Sequence, residues 1–124
     1  MKKLKKFGFF RNKKQNAKLE LLELKRDIPH DMEQNILHYL KGGVVIAVIV
    51  GIDEDFLAPQ QTRIGLPPIV RTDGTWAWTS DVVYYVEKYH IQLPDDFLTH
   101  MARNNWQCPR VANTNNLELD YFMN

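Results

Sequence analysis

At 124 residues, with 44% hydrophobic and 25% charged side chains, the chain has the balance of one globular domain and not of a disordered or collagen-like polymer. A single cysteine, Cys108, excludes an intramolecular disulfide and a cysteine-rich zinc site, and points to a reducing, cytoplasmic setting. The net charge of +1 hides an asymmetry: residues 1–14 carry seven of the 16 basic side chains and no acid, leaving nine basic against 15 acidic groups, or −6, on the rest.

In chain order, residues 1–14 read as a basic, flexible tail. Lys2, Lys3, Lys5 and Lys6 resemble the charged start of a secretion signal, but Phe7–Phe10 is too short for the apolar segment that would follow. Residues 15–26 are expected to form an amphipathic helix with Leu19, Leu22 and Leu21 on its apolar stripe. A second helix is expected over residues 30–41. Asp27 is placed to cap it, Met32, Ile36, Leu37 and Leu40 recur at helical spacing, and Gly42-Gly43 are expected to stop it.

The run Val44–Val50 is rich in β-branched residues and predicts a strand near 44–52, central and buried on both faces. It falls short of the ~20 residues that span a membrane, so no integral membrane segment is expected. Asp53, Glu54 and Asp55 follow, then a loop rich in glycine and proline. Strands near 68–72 and 75–78 flank Asp73-Gly74, a strong hairpin signal. Thr79 or Ser80 is placed to cap a helix over 80–90 with Val82, Tyr85, Val86 and Tyr89 on one face. Pro94 opens a fourth helix over 95–104 with Phe97, Leu98 and Met101 inward. Residues 111–124 read as a polar C-terminal tail, with Leu117, Leu119, Tyr121 and Phe122 available for docking. The predicted fold is α+β: one domain over residues 15–110, a small antiparallel or mixed sheet against about four helices.

The residue patterns carry no glycine-rich phosphate loop, nucleophile elbow or paired-histidine zinc motif. Glu87-x-x-His90 has the spacing of a di-iron half-site, but stands as a single copy and reads as a surface glutamate beside a helix-end histidine. Asp53, Glu54 and Asp55 read as a solvated acidic turn, with a divalent-cation site or steering charges for a basic partner as the alternatives. Of the dense aromatics, Trp76 or Trp78 and Tyr84 are the expected exposed anchors.

The stretch Thr72-Asp73-Gly74-Thr75-Trp76-Ala77-Trp78, with Asp81, Tyr84-Tyr85-Val86, Tyr89-His90, Leu93-Pro94, Phe97 and His100, resembles a block in small bacterial proteins. Some of those are immunity-type proteins encoded near secreted toxins. The resemblance covers about thirty residues, implies a bacterial accessory protein and assigns no catalytic residue.

The leading expectation is a non-enzymatic, protein-binding, immunity-like domain without cofactor, with Trp76, Trp78 and Tyr84 as anchors and Asp53, Glu54 and Asp55 drawing a basic protein. A rival is a small enzyme or metal-binding protein using His90 and His100. A third is an accessory held on a membrane or nucleic acid by the basic N-terminus, although an acidic body disfavours nucleic acid for the folded part.

Overall fold

A computed structural model describes residues 2–60 and 62–119. In chain order the elements are β1 (Lys2–Lys3), β2 (Lys5–Phe7), a 3-10 turn (Phe10–Lys13), α1 (Lys14–Leu24), α2 (Glu33–Lys41), β3 (Val44–Val48), β4 (Ile69–Thr72), β5 (Trp76–Thr79), α3 (Asp81–Tyr89), α4 (Asp95–Arg103) and β6 (Leu117–Glu118). The α+β class and the four helices agree with the sequence reading. Two sheets form: a four-stranded one ordered β2-β5-β4-β3, and a parallel pair of β1 with β6. No helix among the described residues is long and apolar enough to cross a membrane.

The expected tail is a structural element. β2 pairs parallel with β5, Lys5 opposite Trp76 and Phe7 opposite Trp78. The apolar residues hidden between the lysines explain why. Phe7 and Phe10 enter the main core beneath the helices, while Leu4 and Phe9 enter a second cluster with Val70 and Ala77. Gly8 permits the switch of sides: its φ is +95°, and a Cβ there would lie 2.5 Å from Val82 Cγ2. The lysines run outward over apolar surface, with Lys5 Nζ 5.6 Å from the Trp76 ring and Lys13 Nζ 5.8 Å from Phe10.

The opposite correction applies to the apolar run. Among the described residues β3 is an edge strand, paired antiparallel with β4 alone, with a register shift between Val45 and Ala47. On one face Ile46, Ala47 and Ile49 join the second cluster with Leu117 and Leu119. On the other, Val45 and Val48 stay exposed, and Val50 beyond the strand is 95% accessible.

β4 and β5 form the hairpin expected from Asp73-Gly74. Asp73 Oδ1 accepts the Thr75 and Trp76 amides at 2.8 and 2.7 Å, and Gly74 takes φ +94°. Of the expected caps Thr79 and Ser80, Ser80 holds the N-cap position of α3 but makes no side-chain capping bond. Their hydroxyls are used elsewhere: Thr79 Oγ1 accepts the Phe9 amide at 2.9 Å, and Ser80 Oγ donates to the Pro67 carbonyl at 2.6 Å. In α1 Leu21 is buried as expected, together with Ala17, whereas Leu19 and Leu22 are exposed. Val82, Tyr85 and Val86 of α3, Phe97 and Met101 of α4, and Ile36, Leu37 and Leu40 of α2 face the core as the helical spacing required. Tyr121 and Phe122 lie outside the described residues.

Candidate functional site

After β3 the chain makes a narrow excursion and returns. Glu54 bridges Arg63 antiparallel, the Asp55 amide donates to the Thr62 carbonyl at 2.8 Å, and the Ile64 amide to the Asp53 carbonyl at 2.9 Å. This holds the acidic triplet against α3 and draws its first and third members inward. Asp53 and Asp55 are buried, so the exposed acidic turn is corrected: only Glu54 is partly open.

Asp53 pairs with Arg11, whose Nε and Nη2 lie 2.9 and 2.7 Å from Asp53 Oδ1 while Nη1 donates to the Val50 carbonyl at 2.8 Å. Nearby, Asp81 is closed off beneath the N-terminal segment and accepts a bond from Thr79 Oγ1. Burial, against that bond and with Asp53 close by, pushes its carboxyl up to about 7.

Asp55 has a fuller set of donors. Its Oδ1 accepts the Leu57 and Ala58 amides at 2.8 and 3.1 Å, and its Oδ2 accepts the Tyr84 and Tyr89 hydroxyls at 2.6 and 2.7 Å. Lys88 Nζ stands 3.7 Å away, over both tyrosine rings. Burial favours protonation, but the Tyr84, Tyr89 and Leu57 hydrogen bonds with the Lys88 charge outweigh it, so Asp55 titrates below the usual carboxylate range. The same geometry raises the tyrosines: burial first, then the bond to Asp55, moves Tyr84 up and Tyr89 to about 12. Tyr85 points inward, donating to the Glu54 carbonyl at 3.2 Å and accepting the Phe56 amide at 3.0 Å.

The result is one tyrosine, Tyr84, fixed at the surface. Tyr84, Glu87 and Lys88 of α3 with Gly65 and Leu66 of the loop border a shallow hollow of about 480 Å³. Among the expected anchors, Tyr84 alone reaches such a surface. Trp76 and Trp78 are 5% and 0% accessible, because the two-residue period of a strand turns both toward the helices. Trp76 stacks on Phe97 at 4.5 Å, and Trp78 Nε1 donates to the Leu40 carbonyl at 3.0 Å.

The histidines are tied into separate contacts. His90 ends α3 with φ +54° and meets Glu33 Oε1 at 2.8 Å, while Glu87 of the Glu-x-x-His pair is exposed near Lys41. His100 lies 3.2 Å from Asp73 Oδ2, which also accepts the Tyr39 hydroxyl at 2.6 Å. Among the described residues no three His, Cys, Asp or Glu side chains converge as metal ligands would. Cys108 is half-buried, and burial followed by the nearby Asp73 charge pushes its thiol up to about 12.

Arg11, Tyr39 and Asp73 were not singled out as site residues from the sequence. Asp73 alone left a signal there, as the first residue of the Asp-Gly turn. No family model, curated protein or solved structure matches the chain.

Proposed function

We propose that this chain is a non-enzymatic protein-binding domain of the immunity-like kind, and that it receives its partner at the Tyr84 hollow. The observation that carries the reading is the Asp55 hub. Four donors lock one buried carboxylate and fix Tyr84 beside the partly exposed Leu66. A pre-positioned tyrosine loses little side-chain freedom on binding, which is why such residues dominate recognition surfaces. The Glu87 carboxylate beside the hollow offers a basic partner a local ion pair that salt would weaken.

The test is capture of the partner on tagged protein from native lysate at moderate salt, with Tyr84→Ala and Leu66→Ala beside the wild type. One stoichiometric basic protein, retained by the wild type and depleted at least tenfold by either variant, is the expected result. Retention of no protein, or equal retention by all three, overturns the reading.

A further inference from the structure

The charge of the chain divides just after α1. Residues 1–26 hold ten of the 16 basic side chains and two of the 15 acidic ones, a net +8, which leaves −7 on the remainder. Because the first strands are folded into the molecule, this surplus sits on β1, β2, the 3-10 turn and α1 and not on a loose tail. Lys6 of β2 and Lys13 at the start of α1 border one small hollow of about 90 Å³ with Gly8 and Phe9, which joins the basic strand to the helix. Lys13 also meets Glu20 of α1 at 3.4 Å. Along α1, Leu19 and Leu22 are 63% and 50% accessible, and a spacing of three residues puts them on one face. Lys18 is exposed one turn before Leu22, and Lys25 and Arg26 one turn after it. Glu23 is the one carboxylate that adjoins the pair at that spacing.

We propose that this flank docks reversibly on an anionic lipid bilayer, with Leu19 and Leu22 entering the headgroup boundary and the surrounding lysines meeting lipid phosphates. Exposed leucines in a basic surround are the make-up of a helix that lies on a membrane surface. Charge complementarity selects the occupant: the +8 segment is drawn to an anionic surface while the −7 remainder is repelled by it, so the molecule arrives with α1 turned toward the lipid. A nucleic acid would meet the same lysines but offers nothing to two projecting leucines. Two leucines make a shallow anchor, so docking is readily reversed and is lost as salt screens the lysines.

Co-sedimentation of the full chain with phosphatidylcholine vesicles, with and without about 30% phosphatidylglycerol, at about 0.1 M salt tests this. Binding to the anionic vesicles should be at least about tenfold stronger than to the neutral ones, and should fall about tenfold or more at about 0.5 M salt. Leu19→Ser combined with Leu22→Ser should weaken it about tenfold or more, with circular dichroism showing that the variant is folded, and Lys18→Glu alone about threefold. Equal binding to both vesicles, binding to neither, or wild-type affinity in either variant overturns the proposal. So does a duplex DNA that binds more tightly than the anionic vesicles and is indifferent to the leucine changes. Tyr84→Ala should leave vesicle binding unchanged, so the lipid face and the protein-binding hollow can each fail alone.

Discussion

The lysine-rich segment 2–13 and the valine-rich segment 44–50 exchange the places that their compositions suggest. Both lie at edges of the four-stranded sheet, yet the first puts four apolar side chains into two cores while the second leaves valines open to solvent. Hydropathy measures how much a segment gains from burial, but its place relative to the helix layer decides how much burial is available. An edge strand that lies beneath the helices is buried on that face; one that reaches past the helix layer keeps it wet however apolar it is.

The sharpest way to break this contrast is to cut into the first segment. Deletion of residues 2–13 removes the neighbour of β5 and should abolish the cooperative unfolding transition. Phe10→Ala, a truncation at a site with no accessible surface and edge contacts to Phe7 and Tyr85, should cost about 3–5 kcal/mol in urea denaturation. An intact fold after the deletion would return the segment to the status of a tail.

Next in size is a pH effect beneath the same segment. The Asp81 carboxyl titrates near 7 in the folded state against an ordinary value of 3.8, so the folded form holds this proton more tightly than the unfolded one. Its contribution is fully present below about pH 4 and is lost as pH rises toward 7, a decline of a few kcal/mol. Asp81→Asn should flatten that slope and exceed the wild type in stability at pH 8 while matching it more closely at pH 5. Parallel slopes in the two proteins would refute the assignment. Asp55, held below its usual range, has the opposite sign: its contribution is present at neutral pH and lost on acidification.

Gly8→Ala tests the switch of sides between Phe7 and Phe9. The new methyl meets Val82 and Thr79 in a left-handed backbone, and about 2 kcal/mol of destabilisation is expected in the same assay. A neutral result would mean that the turn can relax. The smallest effect belongs to the other segment: Val50→Ser at a 95% accessible position should move stability by no more than about 0.5 kcal/mol. A loss several times larger would show that the run is buried after all.

Local signals in the sequence were legible where a single element decides the outcome. The helical spacing of Val82, Tyr85 and Val86 and the Asp73-Gly74 hairpin rest on contacts within a few residues, and both stand in the structure. What could not be read depends on partners far along the chain. Lys5 finds Trp76, Arg11 finds Asp53, and Asp55 finds Tyr84 and Tyr89 only when the fold brings them together. The tryptophans are an intermediate case: their two-residue spacing shows that they share a face, and only the strand order shows that the face is the core. For the candidate site, Tyr84 was legible as lying off the apolar stripe of its helix, whereas nothing in Asp53-Glu54-Asp55 shows that two of the three turn inward.

The parallel register of β2 on β5 also sets an order of events. Synthesis delivers Lys5–Phe7 some seventy residues before Trp76–Trp78, their hydrogen-bonding neighbours, and Lys2–Lys3 more than a hundred before Leu117–Glu118. No local contact can hold the early strands meanwhile, so Phe7, Phe9 and Phe10 wait in solvent while the helices and the hairpin form. Loops of that length close slowly. The lysines among those phenylalanines therefore have a second duty, carried out before the protein is folded: they keep a sticky segment soluble until its place exists.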